Sequence, residues 1–331
     1  MSLPRILMVS LGGTITMTPS KAGGIAPTLT AEDLLAAVPE MEQVAVLDAA
    51  SPLALPSASL TVDEVADLAR TIDARLRDDV DGVVVIQGTD TIEETAFLLE
   101  LLVESGKPVV VTGAMRGPQT PGADGPANLL AAVTVAASVD AHGLGVLVVL
   151  NDEIHAARFV QKSHTTLPSA FTSPSLGPLG LVIERRAIFR VRVQRSPALR
   201  HGAWTDRPTP VALVKMALGE DGRLLRALPE LGYQGLVLEG MGAGHVPAEL
   251  APIIGELIAK MPVVLCSRAH TGPSLRATYG YDGSEIDLLR RGAISGGDLS
   301  GLKARLLLMA LLRQSARPDA IKEAFRTYST Y

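Results

Sequence analysis

The sequence predicts an α/β protein of two doubly wound domains. The larger, N-terminal domain has a parallel-type sheet with a β-hairpin extension, and the smaller C-terminal domain is also α/β. Short apolar runs alternate with helical patterns, as in strands joined by crossover helices. These runs are continuous in Val, Ile and Leu rather than alternating with polar residues, which marks strands covered on both faces. The chain has 331 residues, a length that favours two cores over one.

The elements follow in order. Residues 6–11 predict the first strand, and further strands fall at 44–47, 83–86, 109–112 and 146–150. Helices are predicted between them at 31–38, 62–77, 92–104 and 126–139. Thr30 and Thr61 precede acidic first turns, and Glu64 stands where a capping box needs it. Asp124 ahead of Gly125-Pro126 reads as a cap before a first-turn proline. Residues 165–178 are rich in Pro, Ser, Thr and Gly, and 180–193 alternate enough to predict antiparallel strands. Residues 195–210 carry charges and three prolines and read as a linker. Strands at 211–216, 236–238 and 263–265, with helices near 247–260, 299–314 and 318–326, restore the α/β rhythm. The expected domains are therefore 1–194 and 211–331.

Composition narrows the function. Aromatic residues are only 3% of a chain that is 47% hydrophobic, so aliphatic side chains must fill the cores. A net charge of −5 and the lack of any Lys/Arg block argue against a nucleic-acid partner. No apolar run approaches the ~18 residues of a membrane helix. Residues 1–11 carry one Arg and run straight into a strand, so no signal peptide is expected. The lone Cys266 lies in an apolar run and reads as a buried, inert thiol. Together these features lead to an expected cytoplasmic location. The six histidines show no ligand spacing, so no metal is expected. Gly240-Met241-Gly242-Ala243-Gly244 follows a strand but lacks dinucleotide spacing, and no acidic residue closes the next strand. No cofactor is expected.

Two stretches suggest chemistry. Leu11-Gly12-Gly13-Thr14-Ile15-Thr16 and Gln87-Gly88-Thr89-Asp90-Thr91 each place a threonine just past the carboxyl end of a predicted strand. That edge is where open α/β sheets bind ligands. Ordinary strand-to-loop turns are the other reading, since Gly, Thr and Asp are common there. Asp90 likewise reads as a helix cap or as a partner for an ammonium. Lys162 reads as a solvated surface charge or as a base near a threonine.

In combination with further segments these motifs are specific. The chain resembles the bacterial-type L-asparaginase/glutaminase amidohydrolase family along nearly its whole length. Gly12-Gly13-Thr14-Ile15 and Gly88-Thr89-Asp90-Thr91 resemble its two signatures. Gly113-Ala114-Met115-Arg116, Ala123-Asp124-Gly125-Pro126 with Asn128-Leu129, Asn151-Asp152, and Lys162 with Thr165-Thr166 are similar to further segments. So are Gly240-Met241-Gly242-Ala243-Gly244, Ser267-Arg268 and the turn at 292–295.

The resemblance implies hydrolysis of L-asparagine to L-aspartate and ammonia through an acyl-enzyme on Thr14. A mixed glutaminase-asparaginase and a catalytically weak amino-acid-binding homologue are the alternatives. Thr89, Asp90 and Lys162 are implied to form a second triad that activates a hydroxyl or water. Asp90 receives the substrate ammonium and Ser57 the α-carboxylate. Gly13, Gly88 and Thr89 are implied to line the substrate, as are Ala114, Met115 and His245. The family also implies a homodimer or homotetramer with sites completed at the dimer interface.

Departures from the family pattern stand out. Gln87 replaces the usual His. The segment 21–27, expected to act as a lid, lacks the family's tyrosine, and Ala58 follows Ser57 where many members have Gln. His245 stands at the Asn position, and Tyr279 lies near the Glu position with Tyr281 and Glu285 close by. Tyr279 or Tyr281 of one copy is therefore expected to replace the missing loop tyrosine of another.

Overall fold

The structure is a computed structural model that describes residues 2–19, 24–199, 204–205 and 207–329. The chain divides into two compact units, residues up to 199 and from 200 onward.

In the first unit, parallel strands β1 (Arg5–Ser10), β4 (Val46–Ala50), β5 (Gly82–Ile86), β6 (Val109–Thr112) and β7 (Val146–Leu150) lie in the order β4-β1-β5-β6-β7. Every residue of β5, β6 and β7 is buried, as their unbroken Val/Leu/Ile runs require. Helices α1 (Ala31–Ala37), α2 (Val62–Asp78), α3 (Ile92–Leu102) and α4 (Gly125–Ala136) supply the cover. Thr30 and Thr61 each form a full capping box, with Asp33 and Glu64. The first antiparallel strand of this sheet, β8 (Glu153–Ala156), folds back on β7 through Asn151 and Asp152, at φ 53° and 60°. Two successive positive-φ residues make the tight turn whose twist suits a hairpin. The extension continues through β11 (Gly180–Ile183) and β12 (Arg186–Phe189), joined the same way by Glu184 and Arg185.

Two differences from the sequence reading have clear causes. The expected strand 44–47 begins at Val46, because Pro39–Gln43 form a 3-10 turn that ends on Val44. It then continues through Asp48 to Ala50. Asp48 sits on the edge strand and pairs with Arg5 and Arg75. Asp124 precedes α4 but makes no capping bond with its side chain. Its carboxylate instead accepts the backbone N–H groups of Met115 and Arg116, both at 2.9 Å.

The second unit is a four-stranded parallel sheet. Its order follows the chain: β13 (Val211–Lys215), β14 (Gly235–Gly240), β15 (Val263–Ser267) and β16 (Ile294–Ser295). Helices α5 (Arg223–Ala227), α6 (Ala251–Ile258), α7 (Glu285–Arg291), α8 (Gly301–Arg313) and α9 (Pro318–Tyr328) complete it. Short α7 escapes periodicity analysis but carries a good start signal, since Ser284 Oγ accepts Asp287 N–H. Cys266 is fully buried on β15, where burial and the nearby Glu239 raise its thiol pKa far above the ordinary range. Such a thiol is a core side chain rather than a nucleophile. Among the described residues no helix is long and apolar enough to cross a membrane.

Two buried titratable groups in the first unit oppose each other. The Glu100 carboxyl on α3 accepts Val146 N–H at 2.6 Å and lies 3.6 Å from Arg195 Nε. Burial outweighs both and raises its pKa to about 7. His155 on β8 meets Ser173 Oγ at 2.9 Å, and burial lowers its pKa to about 4. A carboxyl with a raised folded pKa supports the fold below its unfolded pKa, and that support is lost as pH rises through the folded value. The depressed imidazole contributes stability that is lost as pH falls through its folded value. Relative to wild type, Glu100→Gln should gain stability as pH rises from 4.5 towards 7. His155→Gln should gain it as pH falls from 6.5 towards 4. Each effect should be on the order of 2–3 kcal/mol, read as urea midpoints of the three proteins across that range.

Candidate active site

Strand β1 leads into Gly12 and Gly13, both at positive φ (108° and 92°), and then into a 3-10 turn over Thr14–Thr16. Strand β5 leads into Gln87-Gly88 and a second such turn over Thr89–Thr91. The two loops meet backbone to backbone: a Cβ on Gly13 would stand 2.0 Å from the Gly88 nitrogen. Only glycine permits this approach in this backbone conformation. The residues that follow, Thr14 and Thr89, thereby leave from one point at the carboxyl edge of the sheet. Thr16 fixes the first loop, since its N–H and its hydroxyl both donate to Gly13 O, at 2.9 and 2.8 Å.

Two more segments close around Gly88. Ser57 is buried in its own 3-10 turn, and a Cβ on Gly88 would stand 2.7 Å from its Oγ. A Cβ on Gly113 would stand 2.4 Å from Gln87 O and 3.4 Å from a Thr89 methyl, so Gly113-Ala114-Met115 borders the second loop. Asn128 holds that segment through Gly113 O at 3.0 Å. Gln87 is fully buried and donates from Nε2 to Gly88 O and to Thr91 Oγ1. Thr91 Oγ1 in turn donates to Ser57 O at 3.1 Å, which ties the second loop to the Ser57 turn.

Lys162 lies on the short strand β9 (Gln161–Lys162), paired with β10 (Phe171–Thr172). Its Nζ donates to Thr89 Oγ1 at 2.9 Å and to Asp90 Oδ1 at 2.7 Å. Its own N–H donates to Glu93 Oε1 at 3.1 Å. The Lys162 side chain is only 15% exposed, so the solvated-charge reading fails for it. Asp90 is 69% exposed and does not cap α3, so its carboxylate faces outward. Asp90, Lys162, Ser163, His164 and Thr165 line an open cleft of about 450 Å³. A threonine oxygen that accepts from an ammonium has its own proton free for another acceptor. A half-buried hydroxyl, an exposed carboxylate and a lysine-held threonine are the parts that acyl transfer from a small zwitterion needs.

The other site residues expected from sequence, His245 and Tyr279, lie in the second unit. The glycine-rich turn after β14 closes on a Met241–His245 bridge and presents the imidazole. Tyr279 packs edge-on against it, with ring centroids 4.7 Å apart, and Tyr281 lies at 5.4 Å. Sequence reasoning gave no role to Glu93 or Glu285. Glu93 sits sixty-nine residues from Lys162, a separation that no local pattern spans. Of the segment expected to act as a lid, residues 21–23 lie outside the described residues. The remainder continues into β3 (Ile25–Pro27), paired with β2 (Met17–Pro19). Among the described residues no group of three or more His, Cys, Asp and Glu is placed to hold a metal.

The contact between Gly13 and Gly88 is directly testable. Gly13→Ala should destabilise the protein by at least ~2 kcal/mol through backbone strain and overlap, and it should abolish activity. Gly106→Ala, with nothing within 4 Å of its Cβ, should shift stability by less than ~1 kcal/mol. Thermal melts and assays of both variants check this.

Comparison with known proteins identifies the family. The family model "Asparaginase, N-terminal" matches residues 5–195, and "Glutaminase/Asparaginase C-terminal domain" matches 210–325. The L-asparaginase of Bacillus licheniformis is 34% identical over 97% of this chain and 98% of its own length. A probable L-asparaginase of Deinococcus radiodurans is 38% identical over 98% of each. The crystal structure of a probable cytoplasmic L-asparaginase from Campylobacter jejuni superposes with a TM-score of 0.87. That protein is 33% identical, and the match covers 98% of this chain and 100% of that one. Both family models match in order and close relatives run nearly end to end, so the chain belongs to the asparaginase family.

Proposed function

We propose that the protein is an L-asparagine amidohydrolase, releasing L-aspartate and ammonia through an ester on Thr14. What supports this reading is the close approach of Gly13 to Gly88, the residues just before Thr14 and Thr89, together with the Lys162–Asp90 pair at Thr89. Thr14 Oγ1 attacks the side-chain amide carbon, and its proton passes to a base. The amide nitrogen takes the free proton of Thr89, and Lys162 replaces it from Nζ. Ammonia leaves, water enters by the same route in reverse, and the ester is hydrolysed. Asp90, with its exposed carboxylate, binds the substrate ammonium. Ser57 binds the α-carboxylate, and Gly13, Gly88, Ala114 and Met115 line the amide. No cofactor takes part in these steps.

The base for Thr14 is a phenol, Tyr279 or Tyr281, contributed by a second copy of the chain together with His245. The absence of a tyrosine from 21–27 and the two phenols beside His245 support this. The protein then works as a homodimer or homotetramer. A cytoplasmic location accords with the description of its Campylobacter neighbour. Glutamine is the second substrate to consider, since the C-terminal model covers glutaminases as well. One methylene is worth only about 1–3 kcal/mol of discrimination.

Ammonia release from L-asparagine and L-glutamine tests the proposal. Wild type should turn over asparagine, and Thr14→Ala should lose at least about a thousandfold in kcat. Silence of a well-folded wild type on both amides would overturn the reading in favour of a binding protein. A Thr14→Ala variant that keeps full turnover would overturn the nucleophile.

A further inference from the structure

The second unit contains a chain of hydrogen bonds that runs from a buried carboxylate to the surface. Glu285 is fully buried. Its Oε1 accepts the N–H groups of Thr278 at 2.9 Å and Tyr279 at 2.7 Å, and its Oε2 lies 3.1 Å from His245 Nε2. His245 Nδ1 lies 2.8 Å from the Tyr281 hydroxyl, and the phenol is 52% exposed. The order is carboxylate, imidazole, hydroxyl.

The direction of these bonds follows from the ends. Burial raises the pKa of Glu285, but the Tyr279 and Thr278 N–H groups and His245 outweigh it, and the net shift is downward. An ionised carboxylate only accepts, so it holds the imidazole hydrogen on Nε2. Nδ1 then offers a lone pair, and Tyr281 is the donor. This is the polarity by which a carboxylate and a histidine activate a hydroxyl.

The fold holds the group rigidly. His245 is clamped in its turn by N–H bonds with Met241 in both directions, at 2.7 and 2.8 Å. Gly283, at φ 83°, approaches so closely that a Cβ there would stand 2.5 Å from Val246 O. Val246 N–H donates to Gly283 O at 2.9 Å, and this joins the histidine turn to the segment bearing Tyr281 and Glu285. The Tyr279 ring stands at 81° to the imidazole and fixes its plane. The titratable groups facing His245 are therefore Tyr279, Tyr281 and Glu285.

We propose that Glu285, His245 and Tyr281 form a proton relay and that Tyr281, not Tyr279, is the catalytic phenol. The proposal rests on the Thr14 reading above and specifies its base. As Thr14 Oγ1 forms its bond to the amide carbon, the Thr14 proton moves to the Tyr281 oxygen. The Tyr281 proton moves to His245 Nδ1, and the imidazolium is balanced by Glu285. Both protons return when water hydrolyses the ester: Thr14 Oγ1, as it leaves the carbonyl carbon, takes a proton from Tyr281, and His245 Nδ1 returns one to Tyr281, which leaves the relay as it began. Tyr281 is the group that touches the reacting atoms, whereas His245 and Glu285 act through it as positioning residues.

Kinetics of single and double variants test this. Tyr281→Phe should lower kcat at least a hundredfold with KM within threefold of wild type, and its loss should exceed that of Tyr279→Phe at least tenfold. Glu285→Gln places an amide donor on Nε2 and reverses the imidazole, so its kcat should fall to the level of Tyr281→Phe at an unchanged melting temperature. The double variant should be no slower than either single, because one relay is broken once. Losses that multiply, or a Tyr281→Phe enzyme with wild-type kcat while Thr14→Ala is inactive, would overturn the relay and leave the Thr14 reading intact. A wild type that releases no ammonia would overturn both. Thr14→Ala and Tyr281→Phe chains refolded together should regain activity if the relay of one copy serves the Thr14 of another. Continued inactivity of the mixture would overturn that assignment.

Discussion

The contact between the Gly13 and Gly88 backbones is the constraint on which the proposed chemistry depends. Two strands of a parallel sheet end side by side, and each continues into a loop without a Cβ at the point of closest approach. A side chain at Gly13 would overlap the Gly88 backbone and force the two loops apart. Thr14 and Thr89 would then leave the sheet from two places instead of one. A packed interior does not absorb such a displacement gradually. The surrounding glycines extend the same device, for Gly12 lies against Leu55, Gly88 against Ser57 and Gly113 against Gln87.

Around this point polar groups act as struts. Gln87 and Thr91 tie the second loop to the Ser57 turn, Asn128 and Asp124 hold the Gly113–Arg116 segment, and Glu93 fixes the backbone of Lys162. Of these side chains only Asp124 reads as a helix cap in the sequence. Thr91, Asn128 and Glu93 reach partners in other segments of the chain, and each buried partner is a reason the site keeps its shape, since an unmade buried bond costs about 1–3 kcal/mol.

Each unit thus contains a hydroxyl held by a nitrogen that itself contacts a carboxylate. In the first, an ammonium donates to Thr89, which leaves that hydroxyl a proton to give. In the relay proposed for the second, an imidazole accepts from Tyr281, which leaves that oxygen a lone pair to receive one. In the proposed reading, acid and base roles are distinguished by the polarity of one hydrogen bond, not by the type of side chain.

Much of the architecture was legible in the sequence. Unbroken aliphatic runs identified β5, β6 and β7, because burial on both faces leaves no position for a polar residue. The capping boxes at Thr30 and Thr61 were readable because their bonds span three residues. The glycine-threonine motifs located the sheet edge for the same local reason. Elements shaped by distant contacts were not readable. Strand β4 passes through Asp48 because Arg5 and Arg75 meet it there, and Asp124 abandons its helix for the backbone of Met115 and Arg116. Lys162, ambiguous in its own segment, is resolved by a threonine and an aspartate more than seventy residues away. The sequence by itself determined the two α/β units and the residue types at the site, since these follow from local periodicity and short-range bonds. Only the tertiary structure decided which groups stand within hydrogen-bond reach of each hydroxyl and what holds them in place, because those bonds join residues that only folding brings together.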